Sequence, residues 1–160
     1  MQPTELSLPT NDLHNIVESW QLPSDNGDKL YPVDTVVEAY LKGKSDGMVQ
    51  TDMLLRKQLE DNFAKAAKDT SKVISFLKEK GIKSLSAHLK ICSLYDLSIL
   101  ITISENDFLK DIFSEVYNFT NYVEQIEKSD LYSISFSFIN KSDGFNSDLL
   151  HSDGFILSLK

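Results

Sequence analysis

The chain has 160 residues, 41% of them hydrophobic and 25% charged, with a formal net charge of −8, a composition that fits a folded globular domain with an extension. The acidic excess opposes a phosphate backbone and so disfavours nucleic acid as a partner, while a single cysteine, Cys92, excludes an intrachain disulfide and fits a reducing, cytoplasmic compartment. The N-terminus MQPTELSLPT lacks the basic and apolar regions of a secretory signal, and the longest apolar run, around Leu97 to Ile103, is broken by Ser98 and Thr102, so no membrane insertion is expected.

Residues 1–32 read as a polar leader. Leu13, Ile16, Val17 and Trp20 follow one helix face, with Thr10, Asn11 and Asp12 available as caps, which predicts a short amphipathic helix over residues 11–21. Pro23, Asn26-Gly27 and Pro32 then give a linker. Trp20 is the anchor of the leader, whether its helix packs on its own core or enters a groove on another subunit.

Residues 33–81 carry helical periodicity. The apolar positions Val37, Leu41, Met48, Leu55, Leu59, Phe63, Ala66, Val73 and Leu77 approach a heptad seam, with Thr70 filling the widest gap. Gly43 and Gly47 argue for a break, yet the apolar phase is kept across them, which favours one long helix over a helical hairpin. Such a helix would be about 70 Å long and would need a partner for its seam. Gly81 is expected to end it in a left-handed conformation. Lys65, Lys68, Lys72, Lys78 and Lys80 are interleaved with Asp61, Asp69 and Glu79, the pattern of a solvated helix face and not of a nucleic-acid footprint.

Residues 82–160 change period. His88–Ser93 and Leu97–Ile103 alternate as two strands turning near Leu94 to Asp96. Ser104 to Asp107 is a capping sequence, and the apolar stripe from Phe108 to Ile126 predicts a covering helix with two apolar faces. Tyr132, Ile134, Phe136 and Phe138 alternate with serines that would face water, and Phe155, Leu157 and Leu159 form a closing strand. The expected fold is α+β: a long N-terminal helix or helical hairpin, then a β-β-α-β-β domain with a mostly antiparallel sheet covered by a helix.

The chemistry-bearing patterns are sparse. Ser-Asp-Gly occurs at residues 45–47, 142–144 and 152–154, and Asp143, Asn146, Asp148, His151 and Asp153 offer hard-cation donors. Their spacing matches no EF-hand, and Asp-Gly is what tight turns demand, so the segments read as turns. Cys92 and His88 share a predicted strand face about 13 Å apart, which precludes a nucleophile and base pair and leaves Cys92 as a buried or half-buried structural residue. Asp96, Asp130 and Asp143 near strand ends are the candidates for a carboxylate metal site. No phosphate loop, zinc-protease or nucleophile-elbow motif occurs in the sequence. The expectation is a non-enzymatic interaction or assembly module without a cofactor, associating with itself or with a larger protein. Trp20, Leu55, Leu59, Phe63, Ala66, Val73 and Leu77 are its candidate interaction residues. A small metal-dependent hydrolase or nuclease and a small-ligand-binding domain are the alternatives.

Overall fold

The computed structural model describes residues 52–142 and 144–159, together with 20, 21, 37, 38, 40 and 42. Helix α1 spans Asp52–Glu79. Its apolar stripe is spent inside the chain: Leu59, Phe63, Ala66, Val73 and Leu77 are fully buried, and Leu55 packs partly buried against the same core. Thr70 shares that buried stripe, and its hydroxyl donates to the Ala66 carbonyl at 2.7 Å, which satisfies the one polar group in the seam. Gly81, at φ +73°, ends the run as expected, with the Ile82 amide donating to the Leu77 carbonyl at 2.9 Å.

Val37, Glu38, Tyr40 and Lys42 also have helical backbone. Arg56 Nη2 lies 2.9 Å from Glu38 Oε1, whereas eighteen residues of one straight helix would separate the two by about 27 Å. One continuous straight helix through both is therefore excluded. Preserved apolar phase does not by itself require one helix, because separate segments can aim their apolar residues at a common core, as Val37 and Leu59 do. Residues 43–51, which hold Gly43 and Gly47, lie outside the described residues, as do residues 11–19 of the predicted leader helix. Trp20 and Gln21 are extended and form strand β1 (Trp20–Gln21), so the predicted helix does not reach them.

The remaining strands are β2 (Ser84–Ile91), β3 (Asp96–Ser104), β4 (Ser133–Lys141) and β5 (Phe155–Leu159), in the spatial order β1-β5-β2-β3-β4. The β1–β5, β5–β2 and β2–β3 pairs are antiparallel, but β3 and β4 run parallel in register from Asp96–Ser133 to Ser104–Lys141. The sheet is mixed and not mostly antiparallel. The reason is the connection: helices α2 (Glu105–Phe108) and α3 (Phe113–Glu127) carry the chain back to the end where β3 began. Alternation along β4 encodes which side chains face the core and says nothing of strand direction. The expected single helix from Phe108 is thus two, with Ser104 capping the first by accepting from the Asp107 amide at 3.3 Å. Short helix α4 (Ser147–Ser152), capped by Asn146, fills the connection between the two C-terminal Ser-Asp-Gly segments, where Gly144, Asp153 and Gly154 lie in turns.

Ala87, Leu89, Leu97, Ile99, Ile101, Ile103, Ile134, Phe136 and Leu157 form the buried face of the sheet and pack in one core with α1 and α3. The opposite face carries Ser86, His88, Ser98, Thr102, Ser135, Ser137 and Ser158. Ser135 and Ser137 are exposed there, as their alternation implied. Gly154, at φ +96°, makes the turn between α4 and β5, and a Cβ would come within 3.3 Å of the flexible Lys90 Cε. Gly154→Ala is expected to lower stability by about 1–2 kcal/mol through backbone strain, read as a lower urea midpoint, and an unchanged midpoint would contradict that conformation.

Candidate functional site

The helix layer presents an open groove between α1 and α3, about 530 Å³, lined by Lys68, Ser71, Lys72, Ser75, Phe76, Glu79 and Phe119. Its floor is the Phe76–Phe119 pair, stacked with ring centroids 4.1 Å apart and planes 7° apart. Both rings lie at the margin of the core, partly buried. Phe119, Tyr122 and Ile126 stand on one flank of α3 at helical spacing, and Tyr122 and Ile126 are 58% and 54% exposed. The apolar floor therefore continues into an exposed aromatic and aliphatic strip. Lysines rim it: Lys80 pairs with Glu115 at 2.6 Å, Lys72 is held from below, and Lys68 is exposed and makes no ion pair among the described residues.

Beneath the groove lies a charged cluster. Asp69 is 1% exposed. It accepts from the Tyr132 hydroxyl at 2.9 Å and from Lys72 Nζ at 3.0 Å. Lys72 also donates to Glu127 Oε1 at 2.8 Å, and Lys65 lies 3.3 Å from Glu127 Oε2 while donating to the Glu127 carbonyl at 2.9 Å. Lys65 thus caps the C-terminal end of α3, where the helix dipole favours a cation, and its Nζ sits 4.3 Å over the Tyr132 ring. The Lys72 hydrogen bond holds the Glu127 carboxyl below the usual range, and Glu127 in turn raises Lys72. Burial first, and then Asp69, keeps the Tyr132 phenol protonated well beyond its ordinary range. A neutral donor, a shared carboxylate and lysines already engaged make a static clamp between α1, α3 and the start of β4. Nearby, buried Asn62 donates from Nδ2 to the carbonyls of Leu94 and Leu131, at 3.1 and 2.9 Å, fixing the β2–β3 turn and the approach to β4.

A third cluster lies on the opposite face of the sheet. His88 Nε2 is 2.9 Å from Ser86 Oγ and His88 Nδ1 is 3.1 Å from Ser158 Oγ, while Ser86 also bonds the buried Thr102 hydroxyl. The chain of polar groups crosses β3, β2 and β5. Burial, and secondarily the charge of His151 on α4, lowers the His88 pKa.

The sequence-flagged residues are dispersed by comparison. Leu59, Phe63, Ala66, Val73 and Leu77 lie in the interior and Leu55 at its edge, so the seam meets its own sheet and not an open surface. Trp20 pairs through its backbone with Leu159 at the sheet edge. Cys92 sits in the β2–β3 turn and is exposed, which corrects its reading as a buried or half-buried strand residue; the strand ends at Ile91 because the Cys92 and Ser93 amides both turn to the Asp96 carbonyl. Asp96 accepts from Ser133 Oγ at 3.1 Å, bridging the ends of β3 and β4. Asp130 is exposed and Asp143 lies outside the described residues. Among the described residues, no group of three or more His, Cys, Asp or Glu is placed to hold a metal ion, and no helix is long and apolar enough to cross a membrane.

Fold and surface together define an α+β chain with one helical layer over a mixed sheet. No known family, curated protein or solved structure matches it.

Proposed function

We propose that this chain is a non-enzymatic protein-interaction module whose contact surface is the outer side of the α1–α3 layer. The observation that carries the reading is the exposed strip formed by Tyr122 and Ile126 beside the Phe76–Phe119 floor. Contiguous apolar surface rimmed by charge is what protein interfaces use, with aromatic side chains as anchors. The long helix thus takes part through its outer side, because its seam is occupied.

A photoreactive amino acid placed at Tyr122 of the full-length protein, in the cells that make it, is expected to give a discrete cross-linked species. The same group at Ser135, on the open sheet face, should not. The mass of the product tells a second copy from a different protein. No product from position 122, or equal products from both positions, would overturn the proposal.

A further inference from the structure

The C-terminal segment is attached to the rest of the sheet by a short junction. β5 meets β2 at the pairs His88–Ser158, Leu89–Leu157 and Lys90–Phe155, with an irregularity between Leu89 and Lys90, whereas β2 and β3 pair along the whole of β2 and hold one continuous register from Ser86 to Ile91 after an irregularity next to Ser84. On its far side, among the described residues, β5 meets β1 at Trp20 and Gln21. His88 spans the junction, one ring nitrogen on Ser86 of its own strand and the other on Ser158 of β5. A neutral imidazole, one nitrogen donating and one accepting, satisfies both hydroxyls, since hydroxyl protons rotate to suit. An imidazolium in the same half-buried place has no carboxylate among its hydrogen-bond partners, and α4 sets His151 where its charge acts on the ring.

We propose that His88 is an acid-sensitive latch on the segment Ser147–Leu159: protonation of its imidazole loosens α4 and β5 from β2 while β2, β3 and β4 stay packed beneath the helices. The charged groups on the adjoining described elements are Lys90 on β2, Asp96 at the start of β3, where it accepts from Ser133 Oγ, Asp148 and His151 on α4, and Asp153 at its C-terminal cap. Lys90 is turned to the Phe155 ring, its Nζ 5.7 Å from the centroid, and of these groups His151 is the one that shifts His88. β3 presents Ser98, Leu100 and Thr102 on this face and β5 presents Ser158, none of them titrating in this range. Because the folded state lowers the His88 pKa, the unfolded or opened state binds more protons on acidification. The latch is therefore closed above the ordinary histidine value, about 6.5, and is lost as pH falls through the folded value.

Amide hydrogen exchange of the full-length protein, corrected for intrinsic rate, would be compared at about pH 7.5 and about pH 5. The expected result is a loss of protection of tenfold or more in the β5 amides at the lower pH, with β3 and β4 unchanged. His88→Gln, which keeps a donor and an acceptor, should flatten the difference. Should that variant fail to fold, His151→Gln on α4 should reduce the loss of protection at low pH. Equal loss of protection across all strands, no loss in β5, or an undiminished response in the variants would overturn the latch.

Discussion

Replacing Phe63 by alanine is expected to lower the stability of the monomer by about 3–5 kcal/mol, the usual cost of emptying a large buried aromatic site. Phe63 is fully buried in the core that α1 shares with the sheet, and Leu59, Leu77, Ile99 and Ile101 are buried there to the same degree. The loss should appear as a lower urea midpoint with an unchanged slope, and it should not depend on protein concentration. Glutamate at Leu59 or Phe63 should go further and unfold the chain, because an unpaired buried charge costs more than the roughly 5–15 kcal/mol that holds a domain together. An intermolecular seam predicts the reverse: a smaller solution mass at nearly constant stability and a midpoint that depends on concentration. That second pattern in Phe63→Ala would refute the packing of α1 on its own sheet.

The distinction matters because the periodicity of α1 was legible in the sequence and its partner was not. Leu59, Phe63, Ala66, Val73 and Leu77 declare a buried stripe by spacing alone, as do Leu97, Ile99, Ile101 and Ile103 for β3 and Ser104 for the cap of α2. Spacing is a property of one element. It contains no term for what covers the stripe, for the direction of β4, or for the approach of Glu38 to Arg56. Crossover length did hold a signal for the parallel pair, since a strand, a helix and a strand in succession allow that return.

The clusters were hidden for the same reason. Asp69 and Lys72 are neighbours on a helix and could be read as a surface pair, but Tyr132 and Glu127 join them from residues distant in sequence and bury the carboxylate. His88 drew attention for its spacing to Cys92, while its actual partners, Ser86 and Ser158, sit on its own strand and on the strand across the junction. The serine rows looked uninformative because hydroxyls gain meaning from what they bond. Tyr122 and Ile126 belonged to a helix recognised as apolar on two faces, and only the position of α1 decides which face stays open.

Asp69 should be the most sensitive polar position among the described residues. Asp69→Ala strands the Tyr132 hydroxyl in the interior and releases one bond to Lys72, and breaking a buried pair from one side costs about 3–5 kcal/mol. Lys72 is 38% exposed, so water takes up part of its charge, and the lower end of that range is expected. Tyr132→Phe leaves Asp69 its lysine and should cost about 1.5–3 kcal/mol, the value of a hydrogen bond to a charged group. The double variant should cost less than the two singles together, since each single already removes the shared bond, and a coupling of about 1 kcal/mol or more is expected from the cycle. Glu127 adds a pH signature. Its folded pKa is depressed, chiefly by the hydrogen bond from Lys72, so its contribution is present above the ordinary glutamate value, about 4.3, and fades as pH falls through the folded value. Lys72→Met should flatten that acid limb of the stability curve while sparing the histidine-range response of β5. Strict additivity of Asp69→Ala and Tyr132→Phe would show that the two side chains do not act as a clamp.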